Sequence, residues 1–562
     1  MRTLLTVVSA LAVAGLFRLS NVMAESKHQS SFDVDIRVNA SKSLGPLPEI
    51  WRFFGADEPN YATMKNGHKL LDELGKLGHK KVFFRTHNLL TSGDGTPALK
   101  WGSTNAYSED TNGNPIYDWH ILDGIFDQYM KSGVRPYVQI GFMPEALSTH
   151  PIPYRHHWTP TANYDEIYTG WTYPPKDYNK WSELVYQWTK HCVDRYGKRE
   201  VETWYWETWN EPNIGYWHGT REEFWKLHDY AILGVRRALP NAKVGGADIA
   251  GGGRMFRDFI EHTLRGTNYS TGKVGGPLDF VSFHAKGSPT YIDGHVRMGI
   301  SNQLKTIDEN FKLVASFPEL KQTPIVIGES DPEGCAACQG PTLGYRNGTM
   351  YSSYTAASFA RKIELAQKYN VNLDGALTWA FTFENQPYFA GFRQLASQGI
   401  DLPVLNIFRM FSKMQGKQIE AHSSHAVGID EIVNKGVRDA ADVSTLASAT
   451  RSQVSVMVWH YHDDDVIGPS ANVNLTVEGL PFFGKTVRVT EYRIDDVHSN
   501  SYSVWKAMGS PQQPTSAQII DLERAGQLAS IKTDVSVPLN NRTVKIQTNL
   551  PRQGVSFFVV QN

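Results

Sequence analysis

Two glutamates stand out because each follows residues that place it at the end of a buried strand. The first lies in Trp204-Tyr205-Trp206-Glu207-Thr208-Trp209-Asn210-Glu211-Pro212-Asn213. Proline cannot donate to a sheet ladder, so Pro212 stops the strand and leaves Glu211 at its carboxyl end. The second follows the apolar run Pro324-Ile325-Val326-Ile327-Gly328, with Glu329-Ser330-Asp331 next. An unbroken run of that kind reads as a strand buried on both faces. Carboxyl groups so placed suit acid–base and nucleophilic work. Glu211, between an amide and a proline among indoles, is expected to be partly desolvated, which disfavours the charged form as a catalytic acid requires. Two carboxyls facing each other across a glycosidic bond are what its hydrolysis needs. A separation of about 5–5.5 Å selects the retaining route through a covalent intermediate.

That chemistry needs a scaffold that brings two distant strand ends together. Between residues 50 and 385, β-rich runs alternate with helix-length segments, with strands expected at 50–54, 82–86, 137–140, 204–209, 243–247, 280–284, 325–328 and 376–381. Eight such units predict an α/β fold, a (β/α)₈ TIM barrel over residues 45–414, in which the fourth and seventh strand ends lie roughly opposite at the catalytic rim. No Gly-rich phosphate loop follows the first strand, which counts against nucleotide binding. Thr220 and Glu223 form a capping-box pair ahead of an apolar helical stripe. The segment 150–178, rich in Pro, Trp and Tyr, is expected to be a long loop at the catalytic end. After about residue 415 the pattern changes to strands at 453–460, 472–477, 486–492, 535–539 and 555–560, predicting a C-terminal antiparallel β-sandwich over 415–562. The alternation at 33–38 assigns residues 25–44 to the same sandwich.

Composition narrows the partners. A net charge of −1 without a basic or acidic block gives nucleic acid or an anionic membrane nothing to recognise. Arg2, the apolar stretch from Leu4 to Phe17 and Val22-Met23-Ala24 read as a signal peptide over residues 1–24, hence a secreted or periplasmic protein; an uncleaved anchor is the alternative. No other stretch is long and apolar enough to span a bilayer, so stable membrane insertion is not expected. Three cysteines are too few for a disulfide scaffold, and Cys335-Ala336-Ala337-Cys338 reads as a local disulfide in preference to a metal site. No metal and no cofactor is called for, because two carboxylates can do all the proton transfer and covalent chemistry.

The motifs also carry a family likeness. The Trp-Asn-Glu-Pro-Asn run with a strand-end glutamate three strands later resembles clan A glycoside hydrolases. More specifically the chain resembles glycoside hydrolase family 39, the β-xylosidase and α-L-iduronidase family. Arg85-Thr86-His87, Gly141-Phe142-Met143-Pro144, and the C-terminal Tyr492-Arg493-Ile494-Asp495, His498-Ser499-Asn500-Ser501-Tyr502, Trp505 and Gly509-Ser510-Pro511 support it. The resemblance implies Glu211 as acid/base, Glu329 as nucleophile, and Asn210 as donor to the hydroxyl beside the anomeric carbon. It implies Arg85 beside Glu329, His87 and His284 on hydroxyls, Trp379 as a wall and Glu384 as a hydroxyl acceptor. Glu207 is read as structural, with a partner the sequence does not name. Where the xylosidase branch has His-x-Tyr, this chain has His284-Ala285-Lys286. Lys286 therefore either meets a uronic carboxylate, as in the iduronidase branch, or pairs with Glu384 or Asp331. The expected activity is retaining exo-hydrolysis of an oligosaccharide or glycoside, with β-xylosidase first and a uronidase or arabinose-releasing specificity second. A catalytically silent carbohydrate-binding barrel is the rival of a different class.

Overall fold

The computed structural model describes residues 31–78, 80–154 and 157–562. The expected signal peptide lies outside the described residues. Eight strands, Phe53–Ala56, Val82–Thr86, Val134–Ile140, Tyr205–Thr208, Lys243–Ala250, Phe280–His284, Ile325–Glu329 and Leu373–Ala376, form one sheet in sequence order. Every neighbouring pair is parallel. The ring closes where Phe54 bridges Thr378 and Ala376 N–H donates to the Ile50 carbonyl at 2.9 Å. A helix follows each strand and covers the outside. In Arg221–Ala238 the Thr220 hydroxyl accepts from Glu223 N–H while the Glu223 carboxylate accepts from Thr220 N–H. Phe224, Leu227, Ala231, Ile232 and Val235 then form the face buried on the barrel.

Two strands fall away from their expected places. The first begins at Phe53, and the eighth spans Leu373–Ala376 where 376–381 was expected. Leu377 and Thr378 still bond to the neighbouring strands, at the Ile327 and Phe53 carbonyls, whereas Trp379-Ala380-Phe381 run on buried outside any named strand, with Phe381 packed on Phe84 at 4.8 Å between ring centres. An apolar run signals burial, and burial does not require a ladder.

The second domain is one nine-stranded sheet. It runs from Ala529–Pro538 through Thr486–Ile494, Val555–Gln561, Gln453–Tyr461, Asp442–Ala449, Lys417–Ser423, Ser31–Pro46 and Ser470–Glu478 to Val544–Leu550. Val34, Val454, Val473, Val489, Ile546 and Phe558, from strands across its whole width, share one buried cluster, so the sheet folds over onto itself as a sandwich. It is not wholly antiparallel: Ser31–Pro46 pairs parallel with Ser470–Glu478. That strand enters from the far end of the chain, so no hairpin fixes its direction. Helices Ser501–Ala507 and Ser516–Gly526, inserted between two sheet strands, return to the barrel. There Gln512 exchanges hydrogen bonds of 2.8 and 3.1 Å with the Tyr388 backbone, and Trp505 packs 4.9 Å from Phe389, bracing the loop after the eighth strand. Cys335 and Cys338 form a disulfide. Among the described residues no helix is long and apolar enough to cross a membrane, and no cluster of His, Cys, Asp and Glu could hold a metal ion.

Candidate active site

Glu329 ends the seventh strand at the carboxyl rim of the barrel. Its neighbour must be glycine, because a Cβ at Gly328 would lie 2.0 Å from Asp248 Oδ1 of the fifth strand. Glu329 Oε2 accepts from Lys286 Nζ at 2.7 Å. Oε1 lies 3.3 Å from Arg85 Nη1, 3.7 Å from His87 Nε2 and 3.9 Å from His284 Nδ1. Burial opposes ionisation of this carboxyl, but Lys286, His284 and Arg85 together outweigh it and hold it well below the usual carboxylate range.

Glu211 follows the fourth strand with a left-handed backbone, φ +43°, and its N–H donates to the Asp248 carbonyl at 2.9 Å. That tie to the next strand turns the side chain inward, where Oε1 lies 2.8 Å from His284 Nδ1. His284 Nε2 in turn lies 3.3 Å from Asp248 Oδ2. Burial lowers the proton affinity of His284, yet Glu329, Asp248 and the bond to Glu211 push its pKa up to about 10. At neutral pH the ring is therefore an imidazolium that donates from Nδ1 to Glu211 and holds Nε2 in an ion pair with Asp248. Glu211 and Glu329 consequently face each other across one ring nitrogen.

Arg85 is the hub beneath them. Fully buried, it donates to Glu207, to Asn210 Oδ1 at 3.0 Å and to Glu329, and lies 2.8 Å from Asp248 Oδ2. Glu207 thus has its partners, Arg85 and the Tyr137 hydroxyl at 2.9 Å. Burial first, against Arg85, and then the adjacent Asp248 push Glu207 upward. Asp248 stays ionised despite its burial, because Arg85 and His284 lower it. With Asn210 Oδ1 engaged, Asn210 Nδ2 is left without a hydrogen-bond partner. His87 Nδ1 lies 2.7 Å from Gln139 Oε1, and burial with the charge of Arg85 keeps the ring neutral. Its Nε2 faces Glu329 Oε1 at 3.7 Å. The Trp379 ring closes this side, 4.4 Å from the His87 ring and 5.1 Å from the Arg85 guanidinium carbon.

The structure thus gathers Glu211, Glu329, Asn210, Arg85, His87, His284, Lys286 and Trp379 into one cluster. Glu384 is the exception and corrects the expectation. Its carboxylate caps the helix Lys65–Gly75, accepting from Asn66 N–H at 2.7 Å, Gly67 N–H at 2.9 Å and Asn66 Nδ2 at 2.8 Å. A helix start with unsatisfied amides is a strong claimant for a buried carboxylate. Glu384→Ala is expected to cost about 2 kcal/mol of stability while leaving kcat within about twofold, checked by denaturant unfolding and steady-state kinetics.

Sequence reasoning missed Asp57, which directly follows the first strand as the rule that found the glutamates would have it, and Asp248, which lies inside the fifth strand near its end. The fifth strand was expected to stop at 247, one residue short of Asp248. Tyr216, on the loop after the fourth strand, feels the charges of Glu211, Asp57 and Glu329, and burial above all pushes its hydroxyl up. No periodicity marks it.

Residues 34–543 match the family described as Glycosyl hydrolases family 39. Among curated relatives, a β-xylosidase of Caldicellulosiruptor saccharolyticus is 24% identical over 93% of this chain and 97% of its own. An α-L-iduronidase of Mus musculus is 25% identical over 86% and 74%. Two solved structures share the fold. A bacterial orthologue of human α-L-iduronidase has TM-score 0.73 at 20% identity, covering 94% of this chain and 84% of that one. A monomeric β-xylosidase from Caulobacter crescentus CB15 has TM-score 0.72 at 18% identity, covering 94% and 99%.

Proposed function

The chain belongs to glycosyl hydrolase family 39, and from that premise we propose that it is a retaining exo-glycosidase whose first-choice substrate is a β-xyloside. The carboxylate of Glu329 attacks the anomeric carbon while Glu211, in its acid form, delivers its proton to the departing glycosidic oxygen. The aglycone leaves as an alcohol and the sugar is held as a glycosyl ester of Glu329. Glu211, now carboxylate, takes a proton from water, whose oxygen attacks the same carbon and frees Glu329. The observation that carries this reading is the meeting of both carboxylates at His284 Nδ1, 2.8 Å from Glu211 Oε1 and 3.9 Å from Glu329 Oε1. Asn210 Nδ2 is available to the hydroxyl beside the anomeric carbon. Export from the cytoplasm, read from the first 24 residues, belongs to the same proposal.

The choice of a neutral sugar rests on Lys286. Its ammonium is closed between Glu329 Oε2 at 2.7 Å and Asp331 Oδ2 at 2.6 Å. A cation compensated from two sides has little left for a uronic carboxylate. A panel of aryl glycosides, with product configuration followed by NMR, is expected to show xyloside turnover with retention and no iduronide turnover. Iduronide turnover exceeding xyloside turnover, or an inverted product, would refute it. Lys286→Met supplies a second reading of the same point. Because Lys286 lowers Glu329, its loss raises that group, so the acidic limb of kcat/KM against pH moves to higher pH. The variant is also expected to lose stability, since buried Asp331 is left with Arg393 alone, at 3.6 Å, to compensate it. An unmoved acidic limb with selective loss of uronide turnover would restore the uronidase alternative.

A further inference from the structure

A second pair of charged side chains lies outside the apparatus just described. The first strand runs out into Asp57 and Glu58, and these adjacent acids are used differently. Glu58 holds a loop: its carboxylate accepts from Asn60 N–H at 2.9 Å and from Ala98 N–H at 3.1 Å, while Asn60 Nδ2 donates to the Ser103 carbonyl at 3.2 Å. The loop comes so close that a Cβ at Gly102 would lie 2.3 Å from Glu58 Oε1. This anchoring fixes Lys100, a buried lysine whose Nζ sits 4.4 Å from the Trp101 ring centre and 5.6 Å from that of Trp158. Nζ lies 3.8 Å from Asp57 Oδ2, beyond hydrogen-bond distance, and that buried oxygen has no hydrogen-bond partner. Asp57 Oδ1 is 3.8 Å from His87 Nε2, the nitrogen that lies 3.7 Å from Glu329 Oε1. Glu329 thus shares one ring nitrogen with Glu211 and another with Asp57.

We propose that Asp57 and Lys100 read two adjacent free hydroxyls on the terminal sugar, at the ring edge remote from the anomeric carbon. A sugar whose anomeric carbon faces Glu329 has Glu211 at its glycosidic oxygen and presents its far edge toward Asp57. One hydroxyl donates to Asp57 Oδ2 and its neighbour accepts from Lys100 Nζ. Each sugar hydroxyl can play either part, and both protein groups gain the hydrogen-bond partner their burial calls for. The ligand class is a terminal pentose-type ring with both hydroxyls unsubstituted. A sugar extended at either position cannot enter, so the pair also enforces exo action. This inference rests on the glycosidase reading and deepens it.

The test is a cycle between enzyme variants and deoxygenated substrates, run on 4-nitrophenyl xyloside and its 3-deoxy and 4-deoxy analogues. Each deoxygenation is expected to lower wild-type kcat/KM by about 10- to 100-fold, the range of a charge-assisted hydrogen bond. Asp57→Ala and Lys100→Met should each lose a similar factor on the parent glycoside and less than about threefold on the analogue lacking its own hydroxyl. Equal losses on parent and deoxy substrates would make the two residues merely structural and overturn the inference. Should either variant fail to fold, the wild-type series decides alone: deoxy analogues turned over as fast as the parent exclude recognition of those hydroxyls. If the wild type cleaves no xyloside, the substrate proposal falls, and the same cycle runs on whichever glycoside of the panel it does cleave.

Discussion

Glu329→Ala is expected to lower kcat on every glycoside by about five to six orders of magnitude, the scale on which removing the attacking group acts in covalent catalysis. The size follows from how much of the site converges on this carboxylate. Lys286, Arg85, His284 and His87 all approach its two oxygens within 4 Å, so the charge proposed to attack the anomeric carbon is already present and positioned. Alanine leaves a small space between those side chains. Added azide should enter it, attack from the same face and release a glycosyl azide of configuration opposite to the substrate. The variant should remain folded, because Lys286 keeps Asp331 at 2.6 Å and Arg85 keeps Glu207 and Asp248. Residual turnover within about a hundredfold of wild type, in protein freed of wild-type contamination, would remove Glu329 from the role of nucleophile.

The legible part of this protein was the part governed by local rules. The strands Val82–Thr86 and Phe280–His284 were read to the residue, because each is a short apolar run bounded by loop residues and buried on both faces. Glu211 and Glu329 were legible for the same reason: a strand that must stop leaves its last polar residue at the rim. The strands Lys417–Ser423, Asp442–Ala449 and Val544–Leu550 were not expected. Serines and alanines fill half of Asp442–Ala449, so its inward residues give only a weak alternation; Val544–Leu550 does alternate, with Val544, Ile546 and Leu550 inward, and was overlooked although its signal is present. Glu384 shows a different limit. From the sequence it is an acid beyond the eighth strand, as suitable for a sugar as for anything else. The claim on it comes from amides at Asn66 and Gly67, more than 300 residues earlier, and only the folded barrel brings them together. Lys286 was legible as an alternative, since either Asp331 or an anionic substrate could neutralise it, and the structure supplies Asp331.

Glu211→Ala should behave in a way that separates it from Glu329→Ala even though both remove a carboxyl from one pocket. Loss of a general acid costs most where the leaving group needs a proton. Turnover of xylobiose or an alkyl xyloside is expected to fall by about three to four orders of magnitude, whereas glycosylation by a nitrophenyl xyloside, whose phenolate leaves unaided, should fall by less than about tenfold. The second step then becomes the slow one, because nothing takes the proton from the attacking water. A burst of nitrophenol should appear, followed by slow turnover. Azide needs no base and should restore the steady state, giving a glycosyl azide of the same configuration as the substrate, the reverse of its product with Glu329→Ala. The alkaline limb of kcat/KM should flatten with the acid removed. The neighbouring charges allow this experiment to be clean: His284 loses one acceptor in Glu211 but keeps Asp248 at 3.3 Å and Glu329 at 3.9 Å, so the imidazolium stays compensated. Should azide instead rescue Glu211→Ala with inversion and Glu329→Ala with retention, the two glutamates exchange roles. Equal losses on good and poor leaving groups would deny Glu211 the part of acid altogether.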